Sequence, residues 1–283
     1  MKRSQESPLN DSPYLITLGL WHNKKGSRSV TNDPRSLVIT GASSGIGEGL
    51  ALAYAAPGVH LTLTGRDRAR LMDIARRCEH AGATVTARLV DVTEQTAMAD
   101  LINEIDAVHP LDLVIANAGI SGGSGGGGED EAQARAIFEV NFNGVLNTIW
   151  PAITVMKARR RGHIALISSI AGLTPMPGAP AYSASKIAVK AYGEALNGAL
   201  KPFGITVSTI LPGFVTSRIT AKNDFPMPLL MTPERAAQRI RRGLERGRIS
   251  IVFPKRLAAI PWLIGLLPPR WRIWILSHAP KKS

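Results

Sequence analysis

Five residues, Ser36-Leu37-Val38-Ile39-Thr40, lead straight into Gly41-Ala42-Ser43-Ser44-Gly45-Ile46-Gly47, and a helical pattern over residues 48–56 follows at once. An apolar run this short fits a strand buried on both faces, which is the habit of a parallel sheet. A strand feeding a glycine turn that opens a helix presents bare backbone N–H groups and the positive end of the helix, an arrangement suited to a pyrophosphate. Glycines at the turn let phosphates come close. A tight turn without any ligand would use glycines too, and the strand-turn-helix context is what favours the phosphate reading.

The alternation continues without a break. Strands are expected at 59–64, 84–90, 111–115, 163–169, 205–211 and 249–253, and helices at 68–80, 94–108, 130–160, 184–201 and 233–246. Parallel strands joined by helices, six or seven in all, make a doubly wound α/β sheet, here one domain over residues 36–253. Ligands in such sheets sit outside the carboxyl ends of the strands. Gly65-Arg66-Asp67, Asp91-Val92, Ala116-Asn117-Ala118-Gly119, Ser168-Ser169 and Pro212-Gly213-Phe214-Val215-Thr216-Ser217 all fall at those ends.

About twenty residues past its glycines, a dinucleotide-binding unit meets the adenosine ribose. A carboxylate there bonds a free 2′-hydroxyl, whereas an arginine pairs with a 2′-phosphate. Gly65 occupies the strand-end position where the acid is expected, and Asp67 is placed to cap helix 68–80. Arg66 therefore turns the reading toward NADP(H) over NAD(H).

In Tyr182-Ser183-Ala184-Ser185-Lys186 the tyrosine and lysine stand four apart, so on a helix they point the same way. A phenol ordinarily ionises near pH 10, and a fixed positive charge favours the phenolate. Lowering it by about three units takes roughly 4 kcal/mol, within reach of one desolvated cation and a charged cofactor. The pair alone is common; its setting gives it weight.

With these motifs in hand, the chain resembles the short-chain dehydrogenase/reductase family, in its single-domain Rossmann-type branch, over residues 36–253. Thr40-Gly41-x-x-x-Gly45-x-Gly47 is similar to that branch's cofactor turn, and Ala116-Asn117-Ala118-Gly119 departs from the usual Asn-Asn-Ala-Gly at its first residue. The resemblance implies a catalytic tetrad of Asn141, Ser169, Tyr182 and Lys186. Tyr182 would exchange a proton with the substrate oxygen, Ser169 would steady that oxygen, Lys186 would hold the nicotinamide ribose and keep the phenol acidic, and Asn141 would anchor a water. It also implies a cofactor site from Gly41, Ser43, Ser44, Gly45, Ile46 and Gly47 at the turn, and from Arg66, Asp91 and Val92 at the adenosine end. Asn117, Ala118 and Gly119, then Tyr182 and Lys186, then Pro212, Gly213, Val215 and Ser217 complete it. Ser217 stands where the family usually has threonine, with Thr216 one place early, so either hydroxyl is a candidate for the carboxamide. A homodimer or homotetramer is implied as well.

The substrate side is expected to be an apolar wall of Phe214, Ile219, Phe225, Met227, Leu229, Leu230 and Met231, joined by Met176 and Pro177. The leading expectation is an NADPH-dependent oxidoreductase that interconverts a carbonyl and a secondary alcohol of an apolar or lipid-like small molecule. The alternative is a non-catalytic nucleotide-binding regulator or membrane-surface scaffold with the same fold. No metal is expected, because the six histidines show no ligand spacing. Ser121 to Gly128 lacks the Gly-Lys-Ser/Thr ending of a phosphate loop and reads as a flexible connection.

Charge points to the C-terminal end. Of the net +13, residues 235–283 carry twelve Lys/Arg against Glu245 alone, which leaves +2 for everything before them. No nucleic-acid-binding pattern accompanies this, so nucleic acid is excluded as a partner. Residues 254–283 read as a basic amphipathic segment, with the run Leu257 to Leu267 too short to span a bilayer. Tryptophans among arginines and prolines suit a peripheral membrane contact; the other reading is a tail that packs on its own subunit or a dimer mate. Residues 1–35 are read as a mobile extension, since the run Tyr14 to Leu20 is too short for a secretory segment. The single Cys78 implies no oxidising compartment. The expected location is the cytoplasm, at the inner face of a membrane.

Overall fold

A computed structural model of the chain describes residues 33–122, 129–222 and 226–278. Residues 1–32 of the expected N-terminal extension (1–35), most of the glycine run (123–128) and Phe225 lie outside the described residues. Seven strands form one sheet: β1 (Ser36–Ile39), β2 (His60–Gly65), β3 (Thr84–Leu89), β4 (Leu113–Ala116), β5 (Gly162–Ile167), β6 (Ile205–Pro212) and β7 (Ser250–Phe253). Every pairing is parallel, and the order is β3-β2-β1-β4-β5-β6-β7. The chain turns back on itself between β1 and β4, which opens a crevice at the carboxyl ends of those two strands.

Alternation within the strands builds a core on each face. Leu37 and Ile39 pack with Leu61, Leu63 and Ile115, beneath Leu50 of α1 (Gly45–Tyr54), Leu71 of α2 (Arg68–His80) and Ile240 of α7 (Pro233–Glu245). Val38 turns the other way and joins Val114, Ile164 and Val207 under Ile102 of α3 (Gln95–Val108), Ile149 of α5 (Gly144–Arg159) and Val189 of α6 (Pro180–Leu200). Cys78 is one of the buried residues of α2, as a packing role requires.

Three differences from the sequence expectation exceed a shift of two residues. The helix expected over 130–160 is two helices, α4 (Glu131–Phe138) and α5, separated by a π-helical turn Glu139–Asn143. Helix α1 starts at Gly45 rather than 48. Helix α6 starts at Pro180, not 184, because proline's fixed φ is favoured at a helix's first position. Tyr182 therefore lies in the first turn of α6. Beyond β7 two further helices occur, α8 (Lys255–Gly265) and α9 (Pro269–Ser277). Among the described residues no helix is long and apolar enough to cross a membrane.

Candidate active site

A cleft of about 860 Å³ lies along the carboxyl ends of the strands. Its floor is the glycine turn. Gly41 and Gly45 adopt φ of +65° and +59°, and a Cβ would lie 2.8 Å from the Ala118 Cα at the first and 2.7 Å from the Ser217 Cβ at the second. Both positions thus need glycine for conformation and for room. No side chain caps α1 at Ser44. The turn is tied to β4: the Thr40 hydroxyl accepts from the N–H groups of Asn117 (3.0 Å) and Ala118 (3.1 Å), and the Asn117 amide donates to the Thr40 and Gly41 carbonyls.

At the adenosine end, Gly65 closes β2, and a Cβ there would meet the Ser43 hydroxyl at 3.2 Å. Asp67 is engaged as the cap of α2. Its carboxyl accepts from the Arg70 N–H and pairs with the Arg70 guanidinium, and these, with Arg218, hold it below the usual carboxylate range. Arg66 stands 59% exposed with its guanidinium 3.5 Å from Asp91. Burial pushes the Asp91 carboxyl up, but hydrogen bonds from the Thr93 N–H and hydroxyl, together with Arg66, outweigh it and leave the group low.

At the other end, Ser169 follows β5 in extended backbone and its hydroxyl accepts from the Ala171 N–H. Tyr182 borders the cleft together with Ser169. The Lys186 ammonium lies 5.8 Å from the Tyr182 ring centre and donates to the Ile167 carbonyl at 3.0 Å. Burial lowers the lysine to about 8. Without a cofactor, burial raises Tyr182 above its ordinary value, and Ser169 opposes the rise.

Ser43, Ser44, Ile46, Val92, Ala118, Pro212, Gly213 and Val215 border the cleft with Gly41, Gly45, Arg66, Asp91, Asn117, Gly119, Ser169, Tyr182 and Lys186. Of the two candidate hydroxyls, Ser217 borders it, whereas Thr216 donates to the Met231 carbonyl. Two expected residues stand behind the wall. Gly47 packs α1 onto the turn, where a Cβ would run into the Gly41 carbonyl. Asn141, fully buried in the π turn, exchanges two hydrogen bonds with the Ile120 backbone (2.8 and 2.9 Å) and donates to the Ser185 hydroxyl. It braces the end of β4 against α6. The apolar wall is thinner than expected: Ile219 borders the cleft with Ile120 and Val140, but Phe214, Met227, Leu229, Leu230, Met231, Met176 and Pro177 do not. Met231 instead pairs with Phe214 and Thr216 through the backbone.

One contributor escaped the sequence reading. The Glu129 carboxylate accepts from the Ala181 and Tyr182 N–H groups at the head of α6. The only hint was a helix starting Ala-Pro with no capping side chain of its own. Among the described residues no cluster of three or more His, Cys, Asp or Glu could hold a metal.

A family model described as short chain dehydrogenase matches residues 35–226. The chain is a member of the short-chain dehydrogenase/reductase family. Among its relatives is an "uncharacterized oxidoreductase" of Myxococcus xanthus, 38% identical over 235 residues that make up 83% of this chain and 93% of that protein. "Dehydrogenase/reductase SDR family member 7B" of Xenopus laevis is 28% identical, over 87% of this chain and 82% of its own. Two solved structures share the fold of this family member. A short-chain dehydrogenase from Sphingobium yanoikuyae in complex with NADPH has a TM-score of 0.71 at 24% identity, covering 88% of this chain and 97% of its own. A short chain dehydrogenase/reductase from Burkholderia phymatum in complex with NAD has 0.75 at 23%, covering 89% and 98%.

Proposed function

We propose that this oxidoreductase transfers hydride between NADPH and a carbonyl carbon, giving a secondary alcohol, with an apolar or lipid-like small molecule as substrate. The observation that carries the reading is that Ser169, Tyr182 and Lys186 border one cleft with the glycine turn. The cleft is bordered by the glycine turn, by Arg66 and Asp91 and by Tyr182 and Lys186, and the glycines leave room where a Cβ would collide, so the residues fit the cofactor. When bound, NADPH supplies the hydride.

The chain's own groups handle the proton and the charge. Tyr182 donates its phenolic proton to the carbonyl oxygen as that oxygen gains charge, and in the oxidising direction takes it back. Ser169 donates a hydrogen bond to the same oxygen and steadies it. Lys186, held toward the Ile167 carbonyl, would hold the sugar next to the nicotinamide, and solvent would return the proton to Tyr182 by way of Lys186. Asn141 holds the Gly119–Ile120 segment and α6 in fixed relation. Pro212 and Gly213 support the nicotinamide side of the cleft, with Ser217 as the hydroxyl for its amide.

Three features support NADP(H) over NAD(H). Gly65 puts no carboxylate where a ribose hydroxyl would need one, Asp67 is committed to α2, and Arg66 is exposed and held only by Asp91. Ile120, Val140 and Ile219 support an apolar substrate. Tyr182→Phe is expected to lower kcat for ketone reduction by about 10²–10⁴-fold while the Kd for NADPH, read by fluorescence titration, stays within about threefold. Turnover that survives the substitution would remove Tyr182 from the reaction.

A further inference from the structure

We propose that α8 and α9 form a docking surface for an anionic lipid bilayer, set beside the substrate end of the cleft. The inward side of α8 is spent on the protein itself. Ala258 is buried, and Leu257 and Pro254 lie where a Cβ on Gly213 would meet them at 3.2 and 2.9 Å; Gly265 comes against the Leu173 carbonyl. Helix α8 therefore runs alongside both the Pro212-Gly213 turn and the loop after Ser169. Its outward side is apolar as well. Ile260, Trp262, Leu263, Leu266 and Leu267, then Trp271, Ile273 and Trp274 of α9, are all exposed, and Trp271, Trp274 and Leu266 exceed 60%. A helix apolar all round is ordinarily covered on every side, and α9 buries none of its residues. Arg272 reaches back to the Gly265 carbonyl and joins the two helices.

Charge selects the occupant. Lys255, Arg256, Arg270 and Arg272 flank these apolar residues in the chain, and no acid follows Glu245. A protein partner would need an apolar patch edged with acids. An anionic bilayer offers both at once: headgroups for the cations, and an interfacial layer where tryptophan is favoured. Neither helix is long enough to cross, so the contact lies in the plane. Delivery of an apolar substrate from bilayer to cleft rests on the reductase reading; docking itself does not.

The test is sedimentation of the full chain with phosphatidylcholine vesicles, with and without phosphatidylglycerol, at about 50 mM salt. Binding is expected to be at least about tenfold stronger with phosphatidylglycerol and to fall as salt rises. It should drop by a similar factor in Trp271→Ala/Trp274→Ala and in Lys255→Glu/Arg256→Glu/Arg270→Glu, whose side chains are exposed. Undiminished binding in both variants overturns the proposal, as does no binding by the parent chain. A change of oligomeric state in the tryptophan variant without vesicles overturns it too, because the face would then belong to a second copy. Turnover of a water-soluble ketone without vesicles should be unchanged in both variants, so the reductase reading stands or falls separately.

A second, independent observation concerns Glu129. We infer that it is a positioning residue for Tyr182. Pro180 has no N–H and Ala179 has no capping oxygen, so the first free N–H groups of α6 are those of Ala181 and Tyr182, and Glu129 accepts from both. A carboxylate at a helix N-terminus is favoured by the helix dipole, and here it fixes the turn that carries the phenol. This role rests on the reductase reading. Glu129→Ala is expected to lower kcat by about 10–100-fold with KM for NADPH unchanged, and to shift the pH at which kcat is half-maximal, since the phenol would lose its register with Ser169. Glu129→Asp should recover part of the loss. Amide hydrogen exchange at Ala181 and Tyr182 gives a reading free of activity, and faster exchange is expected in Glu129→Ala. Unchanged kcat and pH profile in the alanine variant overturn the inference; if that variant does not fold, Glu129→Gln, which keeps one acceptor, decides by the same measurements.

Discussion

Lys186 is held where it costs stability. Burial lowers its proton affinity from 10.5 to about 8, so between those values the unfolded chain binds a proton that the folded chain does not. Stability must therefore rise with pH across that window, and the cost is fully present below pH 8. Lys186→Met is expected to stabilise the cofactor-free protein at pH 7 by roughly 2 kcal/mol, after allowing for the lost bond to Ile167, while abolishing turnover. The gain should vanish above pH 10.5; urea denaturation at pH 7 and 11 checks it, and equal gains at both would mean that burial of charge is not the cause. At the opposite end of the cleft, Arg66→Ala should raise KM for NADPH by about 10–100-fold, the worth of a charge-assisted hydrogen bond to phosphate, and leave KM for NADH nearly unchanged. Steady-state kinetics with the two cofactors checks it.

Elements set the site through close approaches. Helix α1 crosses α7 at Gly49, where a Cβ would lie 2.5 Å from the Pro233 carbonyl. Helix α6 sits down on β6 at Gly193, where a Cβ would strike the Thr209 hydroxyl. The first contact fixes the helix that opens at the glycine turn, and the second fixes the height of Tyr182 and Lys186 above the sheet. Gly49→Ala is expected to destabilise by about 1–3 kcal/mol, the usual range for overpacking, and to weaken NADPH, because α1 must shift against the turn. Thermal unfolding with and without NADPH separates the two effects. The π turn between α4 and α5 follows the same logic: the extra residue bulges the helix and turns Asn141 inward to Ile120 and Ser185.

At the scale of the whole molecule, the α8–α9 face is an apolar surface that meets solvent, and Phe138 and Trp150 are exposed on α4 and α5, at 40% and 49%. If the chain forms the homodimer or homotetramer that the family resemblance implies, exposed apolar residues of this kind are where a second copy is expected to pack. Trp150→Glu should then convert a homodimer or homotetramer to a smaller species in sedimentation velocity, without loss of vesicle binding.

Sequence alone determined the layers and the family. Apolar runs with period two or none, helical patterns between them and glycines at their junctions dictate a parallel sheet, because local backbone preference and burial pattern agree at each step. It also named Ser169, Tyr182 and Lys186, which border the cleft. The tertiary structure decided what depends on approach between distant segments. Asp67 is taken up by α2, Arg66 is held by Asp91, Asn141 braces rather than borders the cleft, and Glu129 caps α6 from 52 residues away. Each of these is a long-range hydrogen bond or packing choice among several that the sequence permits, and only the folded geometry selects one.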